Sequence, residues 1–228
     1  MEDKVTLVIT SSNRLPLLRR TIYSFLTFNT YPISEYIIID DSANAYCHSE
    51  IKKEFGSMFK IICNTTRIGQ INSIDKAYLF IKTPWIFHLE DDWQFYRDGF
   101  IEDSLALMKA DPKILQVWLR EMNDTNGHPV DTKLRVIAGI PHHDITFDYQ
   151  GYYGFSFNPG LKRLSDYELI GLYAHVPFDP NTHPSKTARF YTPEMEISKI
   201  YYYLGMRAVI LPVGSVKHIG AGARVGWD

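Results

Sequence analysis

Three consecutive carboxylates, Glu90, Asp91 and Asp92, end an apolar run (WIFHLE, 85–90) that is typical of a buried strand. Like charges packed side by side raise the free energy of a folded chain unless water, protons or cations compensate them. The triplet is therefore either an ordinary solvated turn or a site for a cation. Carboxylate oxygens are hard ligands, so the cation would be Mg²⁺ or Mn²⁺.

Polar side chains also end the three earlier strands that the sequence predicts. In chain order they are Thr10, Ser12 and Asn13, then Asp40 and Asp41, then Asn64 and Arg67. Ligands of open parallel sheets bind beyond the carboxyl ends of the strands, so we expect these side chains to share one crevice with the acidic triplet. Such a crevice suits a base, a ribose and a diphosphate that is held through a metal.

The elements that would position these residues alternate between strands and helices. The predicted strands are 5–10, 36–40, 60–63 and 85–90, apolar runs without the polar alternation of a half-exposed sheet. Helical periodicity covers 15–25, with Asn13 as its cap and Pro16 in its first turn, and 71–81. This alternation indicates an α/β fold with a mostly parallel sheet flanked by helices.

The second half of the chain has a looser pattern. We predict a helix at 99–109, a strand at 114–119, an antiparallel strand at 133–140, a helix at 194–204 that Gly205 ends, and a strand at 208–212. These elements indicate a small antiparallel ribbon beside the main sheet. The tail segment GAGARVG (220–226) is predicted to form a flexible lid.

Length and composition limit the possible functions. The 228 residues, 45% of them hydrophobic, are enough for one compact domain. The net charge of −2 gives no general attraction to nucleic acid. The first residues lack the basic and apolar regions of a secretory signal, and no apolar run approaches the roughly 20 residues that span a bilayer. We therefore expect a cytoplasmic protein, with peripheral membrane contact left open.

Four stretches, VITSSNR, IIIDDSA, NTTRIGQINSIDKA and FHLEDDW, resemble in order and spacing the nucleotide-binding half of a family 2 glycosyltransferase with the GT-A fold. The likeness continues in YGFSFNPGLKR, PEMEISKIYYYLGMRAVI and VKHIG. It implies a single domain, with the nucleotide-binding half at 1–92 and the acceptor side and tail at 93–228. It also implies sugar transfer from a nucleotide-sugar donor, a UDP-sugar, to a hydroxyl of a glycan or related acceptor.

The resemblance assigns the donor contacts residue by residue. Thr10 and Asp41 would hold the uracil, and Arg67 would close over the nucleotide. Asp91 would contact the ribose or the sugar. Ser12 and Asn13 complete the predicted donor-binding set.

The resemblance also implies a metal site. The family's acidic motif is usually aspartate, any residue, aspartate; this chain has Glu90, Asp91 and Asp92, so Asp92 is the ligand that matches best. His218 matches a histidine that completes the metal shell in some members. An imidazole ligand would favour Mn²⁺ over Mg²⁺. The metal would stabilise the charge that grows on the leaving diphosphate.

An acceptor hydroxyl needs a base before it can attack. Glu194 and Glu196 lie at the start of the last predicted helix. The resemblance places the catalytic base of an inverting enzyme at Glu194, with Glu196 as a reserve or an acceptor contact. The structural alternative is that these acids only stabilise the helix N-terminus.

Three aromatic residues, Trp93, Tyr153 and Phe155, are predicted to form a wall for the sugar or acceptor, with core packing as the alternative. Two other functions stay open. A sugar nucleotidyltransferase would need a glycine-rich basic loop after the first strand, and TSSNRLP has no glycine. A non-catalytic carbohydrate-binding protein could retain the same pocket.

Overall fold

The computed structural model describes residues 3–146, 152–177 and 193–221. The first half contains β1 (Val5–Ser11), α1 (Leu15–Phe28), β2 (Ile33–Asp40), α2 (Ala45–Phe55), β3 (Lys60–Cys63), α3 (Gln70–Tyr78), β4 (Trp85–Glu90), β5 (Trp93–Phe95) and α4 (Phe100–Ala110). The second half contains β6 (Ile114–Trp118), β7 (Arg135–Ile137), β8 (Ile140–Asp144), β9 (Gly160–Arg163), α5 (Leu164–Ile170), α6 (Pro193–Tyr203), β10 (Arg207–Ile210) and β11 (Val216–His218). None of the described helices combines the length and apolarity needed to cross a bilayer.

The main sheet has the strand order β3-β2-β1-β4-β9. Its first four strands are parallel, and β9 pairs antiparallel with β4. The mostly parallel sheet is therefore confirmed. The strand order reverses between β1 and β4, and this is the point of an open α/β sheet at which ligands bind. Thr10 of β1 lies level with Glu90 of β4 there.

Both faces of the main sheet are covered, which explains why its strands lack polar alternation. Leu7 and Ile9 of β1 pack in one core cluster with apolar residues of α1, α2 and α4. Val8, which points the other way, packs with α3 and α6. The result is a three-layer α/β/α arrangement.

Two smaller sheets complete the fold. One has the order β6-β10-β8-β7, in which β8 is antiparallel to both of its neighbours. The other is an antiparallel ribbon of β5 and β11. The ribbon aligns His218 with Trp93. It thereby brings the C-terminal segment to the end of β4.

The local predictions have mixed outcomes. Pro16 does lie in the first turn of α1, but Asn13 is not its cap, because Asn13 has a φ of 58° and Arg14 occupies the N-cap position. The single strand predicted at 133–140 is wrong: Ala138 and Gly139 have positive φ values and turn the chain between β7 and β8. Gly205, with a φ of 79°, does follow the end of α6. Most of the predicted lid at 220–226 lies outside the described residues.

Candidate active site

Asp91 is fully buried at the end of β4, where the residues after β1 surround it. The Arg14 guanidinium donates to both of its carboxylate oxygens, at 3.2 Å from Nε and through a closer contact from Nη2. The Ser12 backbone N–H donates to the same carboxylate at 3.3 Å. Burial raises the pKa of Asp91 to about 6, while the positive charge of Arg14 acts in the opposite direction.

Asp92 lies between the end of β4 and the start of the β5–β11 ribbon. Its Oδ2 accepts a hydrogen bond from Arg14 Nη1 at 2.8 Å and lies 3.3 Å from His218 Nε2. Its backbone carbonyl accepts from the Ile219 N–H at 2.8 Å. The other carboxylate oxygen, Oδ1, is buried and has no hydrogen-bond partner among the described residues. A buried carboxylate oxygen without a partner is costly, so a ligand is expected there.

Gly220 fits tightly against this carboxylate. A Cβ atom at position 220 would overlap Asp92 Oδ2 and would lie 2.8 Å from the Asp92 Cβ and Cγ atoms.

Burial acts to raise the pKa of Asp92, but the hydrogen bonds and charges of His218 and Arg14 outweigh it, so the net shift is downward. Asp92 is therefore held as an ionised carboxylate at neutral pH.

Glu90 has different hydrogen-bond partners from Asp91 and Asp92. Its carboxylate accepts from Gln70 Nε2 at 2.7 Å and from Trp93 Nε1 at 3.3 Å. It lines a cavity of about 160 Å³ together with Gln70, Ile71, Phe157, Asn158, Pro193 and Glu194. Burial, with the nearby negative charges of Asp92 and Glu194, raises the pKa of Glu90 to about 8.

Glu194 lies in the first turn of α6 and faces the same cavity. Its Oε1 accepts from the Phe157 backbone N–H at 2.6 Å. Burial raises the pKa of Glu194, although the Phe157 amide, the Ser156 hydroxyl and the Lys162 charge all act to lower it. A half-buried carboxylate with a raised pKa beside a cavity has the properties of a general base.

Asp41 organises the loop that carries Arg67. Its carboxylate accepts from Asn64 Nδ2 at 2.8 Å and from the backbone N–H groups of Ile68 and Gly69 at 2.9 and 2.8 Å. Arg67 is exposed and makes no hydrogen bond or ion pair with any residue that the structure describes. The loop is thus fixed at its base, while the Arg67 side chain is exposed.

The remaining predicted site residues divide by exposure. Thr10 is buried at the end of β1, and Asn13 accepts a hydrogen bond from Asn44 at 3.0 Å. Trp93 and Phe155 are each only 1% exposed, so neither presents a ring face to a sugar in this structure. Tyr153 and Glu196 are half-buried.

The predicted metal ligands are only partly brought together. Asp92 and His218 meet, whereas Glu90 bonds Gln70 and Trp93 instead. Within the described ranges, no three His, Cys, Asp or Glu side chains are grouped to hold a metal ion. A cation that bridges to a diphosphate takes several ligands from phosphate and water, so two protein ligands fit this chemistry. The unpartnered Asp92 Oδ1 fits it as well.

Sequence reasoning missed two basic residues of this region. Arg14 follows the polar end of β1, and its position next to Asn13 was an available signal. Lys162 lies within the GLKR strand β9, and nothing in the local sequence indicates that its ammonium is buried. A larger cleft of about 560 Å³ is lined by Asp3, Tyr31 and Lys109, near the amino ends of β1 and β2, whereas the candidate site is at the carboxyl ends of the strands.

Comparison with known proteins identifies the family. The model of glycosyl transferase family 2 matches residues 6–165, more than half of the chain. The chain belongs to this family. Membership of this family favours the glycosyltransferase interpretation over the nucleotidyltransferase and the non-catalytic alternatives. No protein of curated function matches the sequence.

Several solved structures of glycosyltransferases have a fold similar to that of this chain. The mannosyltransferase PcManGT from Pyrobaculum calidifontis, in complex with GDP-Man and Mn²⁺, has a TM-score of 0.63 at 15% identity, over 92% of this chain and 54% of that one. GalNAc-T7 with UDP, GalNAc and Mn²⁺ has a TM-score of 0.62 at 16% identity, over 94% and 43%. TarS 1–349 of S. aureus has a TM-score of 0.56 at 12% identity, over 93% and 59%.

These likenesses show the GT-A fold. The chain spans about half the length of the structures it matches.

Proposed function

We propose that this glycosyltransferase is an inverting, metal-dependent enzyme that moves a sugar from a UDP-sugar to a hydroxyl of a glycan or related acceptor. The observation that carries the proposal is the pairing of Asp92 with His218 directly after β4, the strand whose last residue, Glu90, lines a cavity together with Glu194. The Mn²⁺ in the PcManGT and GalNAc-T7 structures supports the metal, and the UDP in GalNAc-T7 supports the nucleotide.

Donor binding would use the ends of β1, β2 and β4. Asp41 holds the loop of residues 64–69 in place, and the exposed Arg67 on this loop would contact the nucleotide. Thr10, Ser12, Asn13 and Asp91 complete the donor side. Asp91 is already bound to Arg14, so its role includes fixing this guanidinium at the rim of the site.

Asp92 and His218 would hold Mn²⁺ or Mg²⁺. When bound, the ion would offset the negative charge that develops on the leaving diphosphate. The chain contributes the buried Asp92 Oδ1, which has no protein partner among the described residues, and the imidazole of His218, whose side chain is 38% exposed.

Glu194 would act as the base. Its carboxylate takes the proton of the acceptor hydroxyl as the oxygen attacks the anomeric carbon. The bond from this carbon to the diphosphate oxygen breaks, and its electron pair leaves with the diphosphate. Attack opposite the leaving group inverts the anomeric configuration. Tyr153 and Glu196 would contact the acceptor, because both are half-buried whereas Trp93 and Phe155 are buried.

The decisive experiment combines binding with turnover. Thermal unfolding is measured with UDP or GDP, each with and without Mn²⁺ and Mg²⁺. We expect UDP to raise the unfolding temperature only when a divalent ion is present. The Asp92→Asn variant should lose this shift, whereas Asp98→Asn, which changes an exposed carboxylate, should keep it. Tight binding of UDP without any metal would contradict the proposal.

Turnover is followed as UDP release from a mixture of UDP-glucose, UDP-galactose, UDP-GlcNAc and UDP-GalNAc with candidate acceptors. Glu194→Gln should abolish release and leave the metal-dependent thermal shift intact. The anomeric proton coupling of the product, measured by NMR, should report the β configuration from these α-linked donors. A product that retains the α configuration would rule out the inverting mechanism.

A further inference from the structure

Lys162 is a buried cation in the middle of β9, with 5% of its surface exposed. It lies opposite Ile86 of β4, and its side chain is on the sheet face that also carries His88 and Glu90. Lysine is almost never buried without a compensating partner, because an ammonium group loses its hydration there. The position therefore requires a specific set of contacts.

One of these contacts is a backbone carbonyl. Lys162 Nζ donates to the Ser156 carbonyl oxygen at 2.7 Å, and it lies 4.5 Å from the centroid of the Phe155 ring. The Ser156 carbonyl and the Phe157 N–H belong to the same peptide group. This N–H donates to Glu194 Oε1 at 2.6 Å. Lys162 and Glu194 thus bind the two ends of one planar peptide group.

Two physical consequences follow from this arrangement. A peptide group is planar, so fixing its carbonyl also fixes the direction of its N–H. An ammonium on the oxygen and a carboxylate on the N–H polarise the group in the same sense, which strengthens both hydrogen bonds. The Ser156 N–H donates to Gln116 Oε1 at 3.0 Å, so the preceding peptide group is held as well.

We propose that Lys162 is a positioning residue for Glu194, which it orients through the peptide group shared by Ser156 and Phe157. The inference rests on the proposed role of Glu194 as the base. Lys162 does not touch the substrate; it directs the N–H that aligns the Glu194 carboxylate toward the cavity. Loss of the ammonium leaves the peptide group without its anchor and removes a buried positive charge that acts on Glu194.

The charges around Lys162 are consistent with this role. Burial lowers the pKa of Lys162 to about 7, and the negative charges of Glu194 and Glu90 act to raise it. His88, the other titratable group on this face of β4, has a pKa that burial lowers well below its usual range, and Lys162 acts in the same direction. His88 is therefore neutral, and Glu194 and Glu90 are the acidic groups that face the lysine.

The first test measures the Phe157 amide proton by NMR in the full chain with UDP and Mg²⁺. A short hydrogen bond to a carboxylate moves an amide proton downfield. We expect Lys162→Met and Glu194→Gln each to move this resonance upfield. The control Lys199→Met, which removes an exposed lysine of the same helix as Glu194, should leave it unchanged. An unchanged Phe157 resonance in folded Lys162→Met would overturn the proposal.

The second test separates positioning from folding. Lys162→Met should lower UDP release by about 10- to 100-fold, as expected for a misplaced catalytic group, while the affinity for UDP with Mg²⁺ stays within about twofold. Should Lys162→Met fail to fold, Lys162→Gln replaces it: Gln has no charge and a shorter side chain, so the hydrogen bond to the Ser156 carbonyl is weakened, and a smaller upfield shift and a smaller loss of UDP release are expected. Equal UDP release by the variant and the wild type would contradict the proposal.

The two proposals can fail separately. If Glu194→Gln keeps full UDP release, Glu194 is not the base. The Phe157 resonance still shows in that case whether Lys162 orients the Glu194 carboxylate.

Discussion

Asp41 shows how one carboxylate can support both binding and stability. Three protein donors converge on it, from Asn64, Ile68 and Gly69. Asp41→Ala leaves the two backbone N–H groups without their acceptor. We expect it to lower the free energy of unfolding by about 2–4 kcal/mol, because hydrogen bonds to charged groups contribute more than neutral ones. Urea denaturation would measure this loss.

The matched control for this variant is Asp98→Ala, since Asp98 is an exposed carboxylate. We expect its unfolding midpoint to stay close to that of the wild type. A loss of stability as large in Asp98→Ala as in Asp41→Ala would show that the loop contacts of Asp41 are not the cause.

Glu90 gives the protein a pH dependence in the absence of metal. Its pKa is raised from 4.5 to about 8, chiefly by burial. Between these pH values the folded chain keeps the proton and the unfolded chain releases it, so stability falls as the pH rises through this window. Glu90→Gln should remove this part of the fall and be more stable than wild type at pH 8. Denaturation at pH 5 and pH 8 with a chelator would test it.

The control here is Glu168→Gln, a change at an exposed glutamate. Its difference in stability between pH 5 and pH 8 should match that of the wild type. If Glu90→Gln shows the same difference as the wild type, Glu90 is not protonated in the folded state at neutral pH.

Among the elements, the β5–β11 ribbon decides whether the proposed metal site is complete. It brings His218 and Gly220 to Asp92, although they lie far apart in sequence. Gly220→Ala removes no ligand, but its methyl group would overlap the Asp92 carboxylate and displace the segment that carries His218. We expect a loss of Mn²⁺ affinity of about 10-fold, similar to that of His218→Ala, by titration calorimetry with UDP. Ala221→Ser, a change at the exposed neighbouring residue, should bind as the wild type does.

Local patterns predicted the elements of the first half well, because buried parallel strands leave continuous apolar runs and their ends meet at one edge. The local patterns failed where a residue adopts a backbone conformation that is unusual for its type. Ala138 adopts a φ of 51°, which few non-glycine residues do, so the β7–β8 turn carries no clear signal. Helix α2 was not predicted; it buries only Cys47, His48, Ile51 and Phe55 within a polar stretch.

The sequence could indicate which residues take part in the site, but not how they pair. It predicted Asp92 and His218 together only through resemblance, and the ribbon pairing that joins them is long-range. It gave no sign that Glu90 would turn toward Gln70 and Glu194, because that depends on the packing of α3 and α6 against the sheet. The burial of Trp93 and Phe155 depends on packing in the same way.

For the whole molecule, we predict a single cooperative unfolding transition. Helix α4 contacts β9 of the main sheet and β6, β7 and β8 of the second sheet, so neither sheet keeps its core if the other unfolds. Differential scanning calorimetry should give equal calorimetric and van't Hoff enthalpies. UDP with Mn²⁺ should raise the midpoint temperature of this single transition without splitting it. Two transitions, with only one sensitive to the ligand, would show that the chain has two domains.

The contact between the Phe157 N–H and Glu194 has a practical consequence for mutational studies of this enzyme. Truncating a side chain leaves the main chain in place, so an alanine scan across 152–163 would report nothing about this donor. Replacing the amide at position 157 with an ester, by incorporating the α-hydroxy analogue of phenylalanine, would delete the donor alone. Semisynthesis, rather than codon changes, is the chemistry that reaches this part of the proposed site.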